Sequence, residues 1–412
     1  MASVTVVRKK RDRVRDGIKL YFDYWLLLAV TGLVVVGMLM TYSTTFDLGL
    51  LVHDDPTYFF RRQLVALGLG VVGIVILMQF DYHILRRFSV LIMGGTLLLL
   101  VTLLVIGEAN FGATRGLYEN SYQPGELAKL ATILYIAHWL SSKGERIKDV
   151  TYGLLPFAFI TGVVCFLIVQ QPDLSTAGLV AVISLTIFFV AGAELRQMVI
   201  AGSVGGGIFY LLMKATPHAA ARIAAWQEVL RDPNQAVWQV RQALIALGSG
   251  GFFGVGLGNS TQKFGPLPAA HTDGIFAIVG EELGLAGCLV VILLLGLLVW
   301  RGLYAARNAR DSYGFLLALG ITCWLSYQAL INIAVITAVI PFTGIPLPFL
   351  SYGGSSLLSS LIGVGLLLNI SRDAHLTTRS QPQKSVMESL RADIGLRRRN
   401  GRSHLSRSGR GK

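Results

Sequence analysis

The chain has 412 residues, of which 53% are hydrophobic and 14% charged, whereas soluble domains carry about 25% charged residues. With a mean hydropathy of +0.60, this excludes a water-soluble globular domain and points to an all-α polytopic membrane protein. The formal charge of +13 admits nucleic acid in principle, but a basic flank on such a protein faces the cytoplasm and its anionic lipid, so no nucleic-acid partner is expected.

Ten apolar segments are long enough to span or nearly span a bilayer, which takes about 20 residues. In chain order they lie near 24–46, 60–80, 87–107, 125–142, 153–171, 173–192, 196–214, 275–301, 312–340 and 348–370. The first lacks a small-residue cleavage site after it and reads as a retained span rather than a signal peptide. Basic stretches fall on alternate loops: "RKKRDRVRDGIK" before the first span, "RR" at 86–87, "SSKGERIK" at 141–148, Arg196 and "RGLYAARNAR" at 301–310. By the positive-inside rule these are cytoplasmic, as are both termini. Arg61 and Arg62, at the outer end of the second span, run against it.

The domain plan is thus a basic N-terminus (1–23), a membrane domain (24–371) and a basic tail (372–412). The tail is rich in Arg, Ser and Gln without apolar periodicity and reads as disordered, attracted to anionic head groups or docking cytoplasmic partners. Most outer loops are short, but 215–274 is long and is read as an ordered outer lobe. It holds amphipathic stretches near 220–231 and 236–248 and the turn "GSGGFFGVGLG". Cys165, Cys288 and Cys323 lie in apolar runs without a Cys/His cluster, and read as small buried hydrophobes rather than a disulfide or metal site.

Four polar clusters fall on the outer side. Glu126 and Lys129 begin the fourth span at i,i+3 spacing, either a structural ion pair or part of a site. Asp173, in "QQPDLSTA", suits the N-cap of the sixth. The third cluster, Arg222, Arg231, Arg241, Gln262 and Lys263 of the long loop, is simply solvated, or its cations suit a phosphate head group. The fourth cluster is "HTDGIFAIVGEELG", 271–284. An acid at the bilayer centre costs roughly 2.5–3.5 kcal/mol, so His271, Asp273, Glu281 and Glu282 ask for a reason. Thr272 or Asp273 can N-cap the eighth helix. Glu281, eight positions beyond Asp273, would share its face, and two such acids suit a general base. The glycines and prolines of "PFTGIPLPFLSYGGSS", 341–356, break the membrane region, which is tolerated only where protein or a cavity satisfies the backbone.

Together these motifs resemble the SEDS family (shape, elongation, division and sporulation), the FtsW/RodA group of peptidoglycan polymerases. The resemblance covers roughly 20–372 and rests on "YFFRRQ", "QPGELAKL", "QPDLSTA", "VRQALIALGSGGFFGVGLGNSTQK", "LPAAHTDGIFAIVGEELG" and "TGIPLPFLSYGGSSLL", in that order. "GLGNSTQK…LPAAHTD" is more similar to the division branch. The resemblance implies ten helices with a large extracytoplasmic loop between the seventh and eighth. It also implies polymerisation of lipid II into glycan strands outside the plasma membrane, at the division septum, beside a class B penicillin-binding transpeptidase and other division proteins. The family's essential aspartate matches Asp273, and its fourth-helix Glu and Lys match Glu126 and Lys129. Gly274 stands where Phe is usual, Gly125 where Ser is common, and Arg115–Gly116 where Arg-Trp is usual.

The implied chemistry is an inverting glycosyl transfer with Asp273 as general base and undecaprenyl diphosphate as leaving group. The expected substrate-binding residues are Glu126, Lys129, Arg222, Arg241, Lys263, His271, Glu281 and Ser351. A divalent cation, Mg or Mn, would bridge diphosphate and acid side chains, although no dedicated cage is visible in the sequence. A lipid flippase or transporter, and a non-catalytic division scaffold, are the rival readings. Against transport stands the gathering of ionisable clusters on the outer side rather than at a midplane between repeats.

Overall fold

The computed structural model describes residues 23–106, 123–231, 238–265 and 267–373. The basic N-terminus, the Arg115–Gly116 segment and the tail beyond Asp373 lie outside these, and so does the Arg231 side chain. The described residues form helices and connecting turns with no strand. They are α1 (Tyr24–His53), α2 (Tyr58–Gln79), α3 (His83–Ile106), α4 (Pro124–Ser141), α5 (Leu155–Val169), α6 (Leu174–Val190), α7 (Leu195–Ala215), α8 (Pro217–Arg231), α9 (Trp238–Ser249), α10 (Ile275–Arg307), α11 (Ser312–Ile336) and α12 (Gly354–Asp373).

Among the described residues, eight helices are long and apolar enough to cross a membrane. The π-helical turn Val150–Leu154 completes the one that ends with α5. α6 is apolar but only 17 residues long, and α4, 18 residues long, carries Glu126, Lys129 and His138. Helix starts follow their capping chemistry. Asp23 accepts from Leu26 N at 3.1 Å to open α1, Asp173 accepts from Thr176 N at 3.2 Å to open α6, and Asp311 accepts from Gly314 N at 3.3 Å to open α11. Asp173 is therefore the cap its position suggests.

α11 lies at the centre, packed on α10, α4 and α6, and α12 is the most enclosed of the long helices. α7 lies at the rim, with Leu195, Val199, Val204 and Leu211 exposed. In water such a face would be an unfavourable apolar patch; against hydrocarbon it is the matching surface. Two boundaries beside the proline-rich segment differ from the hydropathy reading. α11 stops at Ile336 rather than near 340, and α12 starts at Gly354 rather than near 348. Pro341, Pro346 and Pro348 lack amide hydrogens for a helical ladder, so 337–353 is irregular despite its apolarity. The long loop, 215–274, is ordered around α8 and α9, close to the two stretches expected there.

Candidate active site

Asp273 lies in the tight turn that leads into α10. Thr272 N and Gly274 N both donate to Ala269 O, at 3.0 and 3.1 Å. The N-cap position is Gly274, with no side-chain cap bond, so neither Thr272 nor Asp273 caps the helix. A cap must sit at the helix boundary to reach the first free amides, and the turn puts glycine there. Nor does the helical spacing of Asp273 and Glu281 apply, because Asp273 precedes the helix. The Glu281 carboxylate instead accepts from Ser260 Oγ, from Thr261 N at 2.8 Å and from Thr261 Oγ1 at 3.0 Å. It organises the loop that precedes α10.

The irregular segment between α11 and α12 braces the Asp273 turn. Buried polar backbone needs partners, and side chains of the surrounding helices supply them. Ser175 Oγ donates to Thr343 O at 2.7 Å and Gln328 Nε2 to Pro346 O at 3.0 Å. Asn332 Nδ2 donates to Ile345 O at 2.8 Å and to Asp273 O at 2.9 Å, joining both segments. Ser351 Oγ accepts from Leu347 N at 2.8 Å and donates to Thr272 O at 2.6 Å. Tyr352 N donates to His271 O at 2.8 Å, and Gly353 N to Gln63 Oε1 at 3.2 Å. Gly344, at φ +76°, lies beside the carboxylate: a Cβ added there would stand 3.3 Å from Asp273 Oδ2. Ser351 is thus a brace for the turn, buried and bonded on both sides.

The expected cations separate into two kinds. Lys129 Nζ donates to Glu126 Oε1 at 2.8 Å and to Gln328 Oε1 at 2.8 Å, with Trp324 Nε1 donating to the same Gln328 oxygen at 2.8 Å. Lys263 Nζ lies 3.0 Å from Glu282 Oε1, 3.0 Å from Ser43 Oγ and 2.6 Å from Gly258 O. Both lysines are enclosed and neutralised by carboxylates, so the structure makes them internal struts rather than open anion ligands. Arg222 and Arg241 are of the second kind. Arg222 lies over the Phe342 ring at 5.9 Å, two residues from Gly344, while Trp226 Nε1 ties α8 to Ala338 O at 3.0 Å. Arg241 is exposed on α9.

His271 is half-buried, its ring 5.9 Å from that of Tyr352. Burial pushes the imidazole below its usual range and keeps it neutral at pH 7. Tyr352 in turn meets Phe59 edge-on at 5.5 Å, and Arg62 donates to Tyr58 Oη at 3.1 Å. Arg61 pairs with Asp55. Arg62, Gln63, Ser175, Gln328 and Asn332 were not singled out as site residues in the sequence. The available signals were an arginine pair on the outer side against the positive-inside rule, and amide side chains inside apolar helices.

The glycine-rich turn clamps onto α10, which breaks at Gly284 (φ 69°, ψ −167°). Val255 N and Gly256 N donate to Glu281 O and Glu282 O, at 2.9 and 3.1 Å, while Leu285 N and Ala286 N donate to Gly251 O and Phe252 O, both at 3.0 Å. The approach is so close that a Cβ on Gly254 would fall 2.1 Å from Glu282 O. Among the described residues no three His, Cys, Asp or Glu side chains converge to hold a metal, and the three cysteines are free thiols, buried or partly buried.

The chain matches the family model for FtsW, RodA and SpoVE, described as "Cell cycle protein", over residues 24–376. It is 39% identical over 354 residues to the "Probable peptidoglycan glycosyltransferase FtsW" of Trichlorobacter lovleyi, covering 85% of this chain and 93% of that protein. The crystal structure of the rod shape determining protein RodA of Thermus thermophilus superposes with a TM-score of 0.64 at 29% identity, over 86% of this chain and 98% of the other. A chain from a structure described as "Structural coordination of polymerization and crosslinking by a peptidoglycan synthase complex" superposes with a TM-score of 0.67, at 29% identity, over 86% and 99%. The chain therefore belongs to the FtsW/RodA/SpoVE family.

Proposed function

We propose that this chain is a peptidoglycan glycosyltransferase that polymerises lipid II into glycan strands, inverting the anomeric centre, with Asp273 as general base. In this reading α4 and α6 join the eight long helices to make ten spans, with both termini cytoplasmic and α8 and α9 forming the outer lobe. A hydroxyl of the acceptor sugar attacks the anomeric carbon of the lipid-linked donor. The new C–O bond forms as the bond to the diphosphate oxygen breaks, the hydroxyl proton passes to Asp273, and undecaprenyl diphosphate leaves. Arg222 and Arg241, the expected cations not enclosed as internal struts, meet the diphosphate. A class B penicillin-binding transpeptidase crosslinks the product at the division septum, alongside other division proteins.

One observation carries the reading. The turn that carries Asp273 is held ahead of its helix by bonds from Ser351 Oγ to Thr272 O, from Asn332 Nδ2 to Asp273 O and from Tyr352 N to His271 O, which fixes the backbone from which the carboxylate projects. General-base assistance is worth roughly 10²–10⁴-fold. Polymerisation of lipid II by the purified chain with its cognate transpeptidase should fall by about that factor in Asp273→Ala, with thermal unfolding unchanged. An unchanged rate would refute the base and favour the scaffold reading. Lipid translocation without glycan product would favour transport.

A further inference from the structure

A small cavity opens where the first turns of α4 and α6 meet, lined by Gln123, Gly125, Glu126, Gln171, Asp173 and Thr176. Its volume is about 20 Å³, room for one water or one ion and far too little for a sugar. Its polar lining is rich in acceptors. Thr176 directs both its amide and its hydroxyl at the Asp173 carboxylate, at 3.2 and 2.8 Å. Gln171 donates its amide nitrogen to Leu100 O at 3.1 Å, which leaves the amide oxygen as its acceptor. Glu126 is 5% exposed. Its Oε1 receives Lys129, but its Oε2 is buried without any hydrogen-bond partner. A carboxylate oxygen left so is costly unless something of opposite character meets it.

We propose that this cavity is a site for a hard divalent cation, with Glu126 Oε2 and Asp173 as its carboxylate ligands and the Gln171 amide oxygen as a third donor. Two carboxylates, one neutral oxygen and positions left open to water or a substrate diphosphate form the donor set that Mg²⁺ or Mn²⁺ accepts without a full protein cage. Lys129 holds the other oxygen of Glu126 and so orients the ligand from behind, as outer-shell partners do in metal sites. Charge also permits it: Glu126, Lys129 and Asp173 sum to one negative charge. The cavity adjoins the proposed base, because Ser175, between Asp173 and Thr176, donates to Thr343 O beside Gly344, and Gly344 lies beside Asp273 Oδ2. The role of that cation, binding the leaving diphosphate, rests on the function proposed above.

The test is Mn²⁺ binding to the full-length chain in lipid nanodiscs, read by electron paramagnetic resonance of free and bound ion, with Mg²⁺ as competitor. Wild type should bind one Mn²⁺ that Mg²⁺ displaces. Affinity should fall at least tenfold in Glu126→Gln and Asp173→Asn, and should not change in Asp273→Asn. Asp173→Asn keeps a side chain able to cap α6, so it reports even where Glu126→Gln destabilises the chain around Lys129. No bound Mn²⁺ in wild type, equal binding in both variants, or loss only in Asp273→Asn would overturn the site. The two proposals fail separately. Glycan made in EDTA without bound Mn²⁺ sinks the cation site alone, and Mn²⁺ bound to a chain that makes no glycan sinks the polymerase alone.

Discussion

Two buried acid–base pairs, Asp23 with Arg301 and Glu126 with Lys129, are built differently. On the side read as cytoplasmic, Asp23 is fully engaged. Oδ1 accepts from Leu26 N and Arg301 Nε, at 3.1 and 3.0 Å, and Oδ2 accepts from Arg301 Nε, Arg301 Nη2 and Ser371 Oγ, at 3.0, 2.7 and 3.3 Å. On the side read as outer, Glu126 gives one oxygen to Lys129, and its other has no partner. A carboxylate with both oxygens matched, joining α1, α10 and α12, does structural work. One with a buried oxygen left unmatched is unsatisfied, and it is on this oxygen that the proposed cation site rests. Ion pairs of similar composition thus divide by whether their hydrogen-bonding capacity is closed.

Substitutions can break this contrast, and the inner pair should be hit hardest. Asp23→Ala leaves Arg301 largely buried without its partner, and guanidinium cannot shed its proton. Stability should fall by about 3–5 kcal/mol, read as a lowered unfolding midpoint in detergent. Lys129→Met should cost less, about 1–3 kcal/mol, because a carboxylate left without its cation can take up a proton. Equal losses at the two sites would erase the distinction. Ser351→Ala sharpens it from the catalytic side. It strips a partner from both Leu347 N and Thr272 O, at about 1–3 kcal/mol, and should lower the polymerisation rate more than it raises KM, since the turn carrying Asp273 loses its brace. The smallest effect is on pH. His271 is held below the usual imidazole range, so the stability it contributes is present above about pH 6.5, the unfolded value, and is lost as pH falls through the lower folded value. His271→Gln should flatten that acid limb of the unfolding profile.

Much of this was legible in the sequence because hydropathy and charge act locally. Apolar runs marked the helices, Asp173 sat where a cap belongs, and the polar motifs pointed to Asp273. What escaped the sequence acts over distance or through backbone angle. Lys263 meets Glu282 nineteen residues on and Ser43 at a separation of 220, and no spacing rule joins them. Hydropathy ran the ninth and tenth spans into the proline-rich segment because Ile, Leu and Phe are apolar whether or not they are helical. The capping role expected of Thr272 or Asp273 failed by one or two residues, within the usual uncertainty of a helix end but decisive for a side chain's function.

The break at Gly284 changes what counts as one unit of stability. α10 is continuous in sequence, yet around its break the backbone of 281–286 bonds to that of 251–256, and Glu281 and Glu282 bond to Ser260, Thr261 and Lys263. Cooperative opening follows hydrogen bonds and packing rather than chain order. The first turns of α10 should therefore exchange their amide hydrogens in step with the glycine-rich loop, and more slowly or quickly than the membrane-crossing remainder according to how firmly that loop is held. The stretch bearing Asp273 at its head should thus open with the glycine-rich loop rather than with the rest of its own helix.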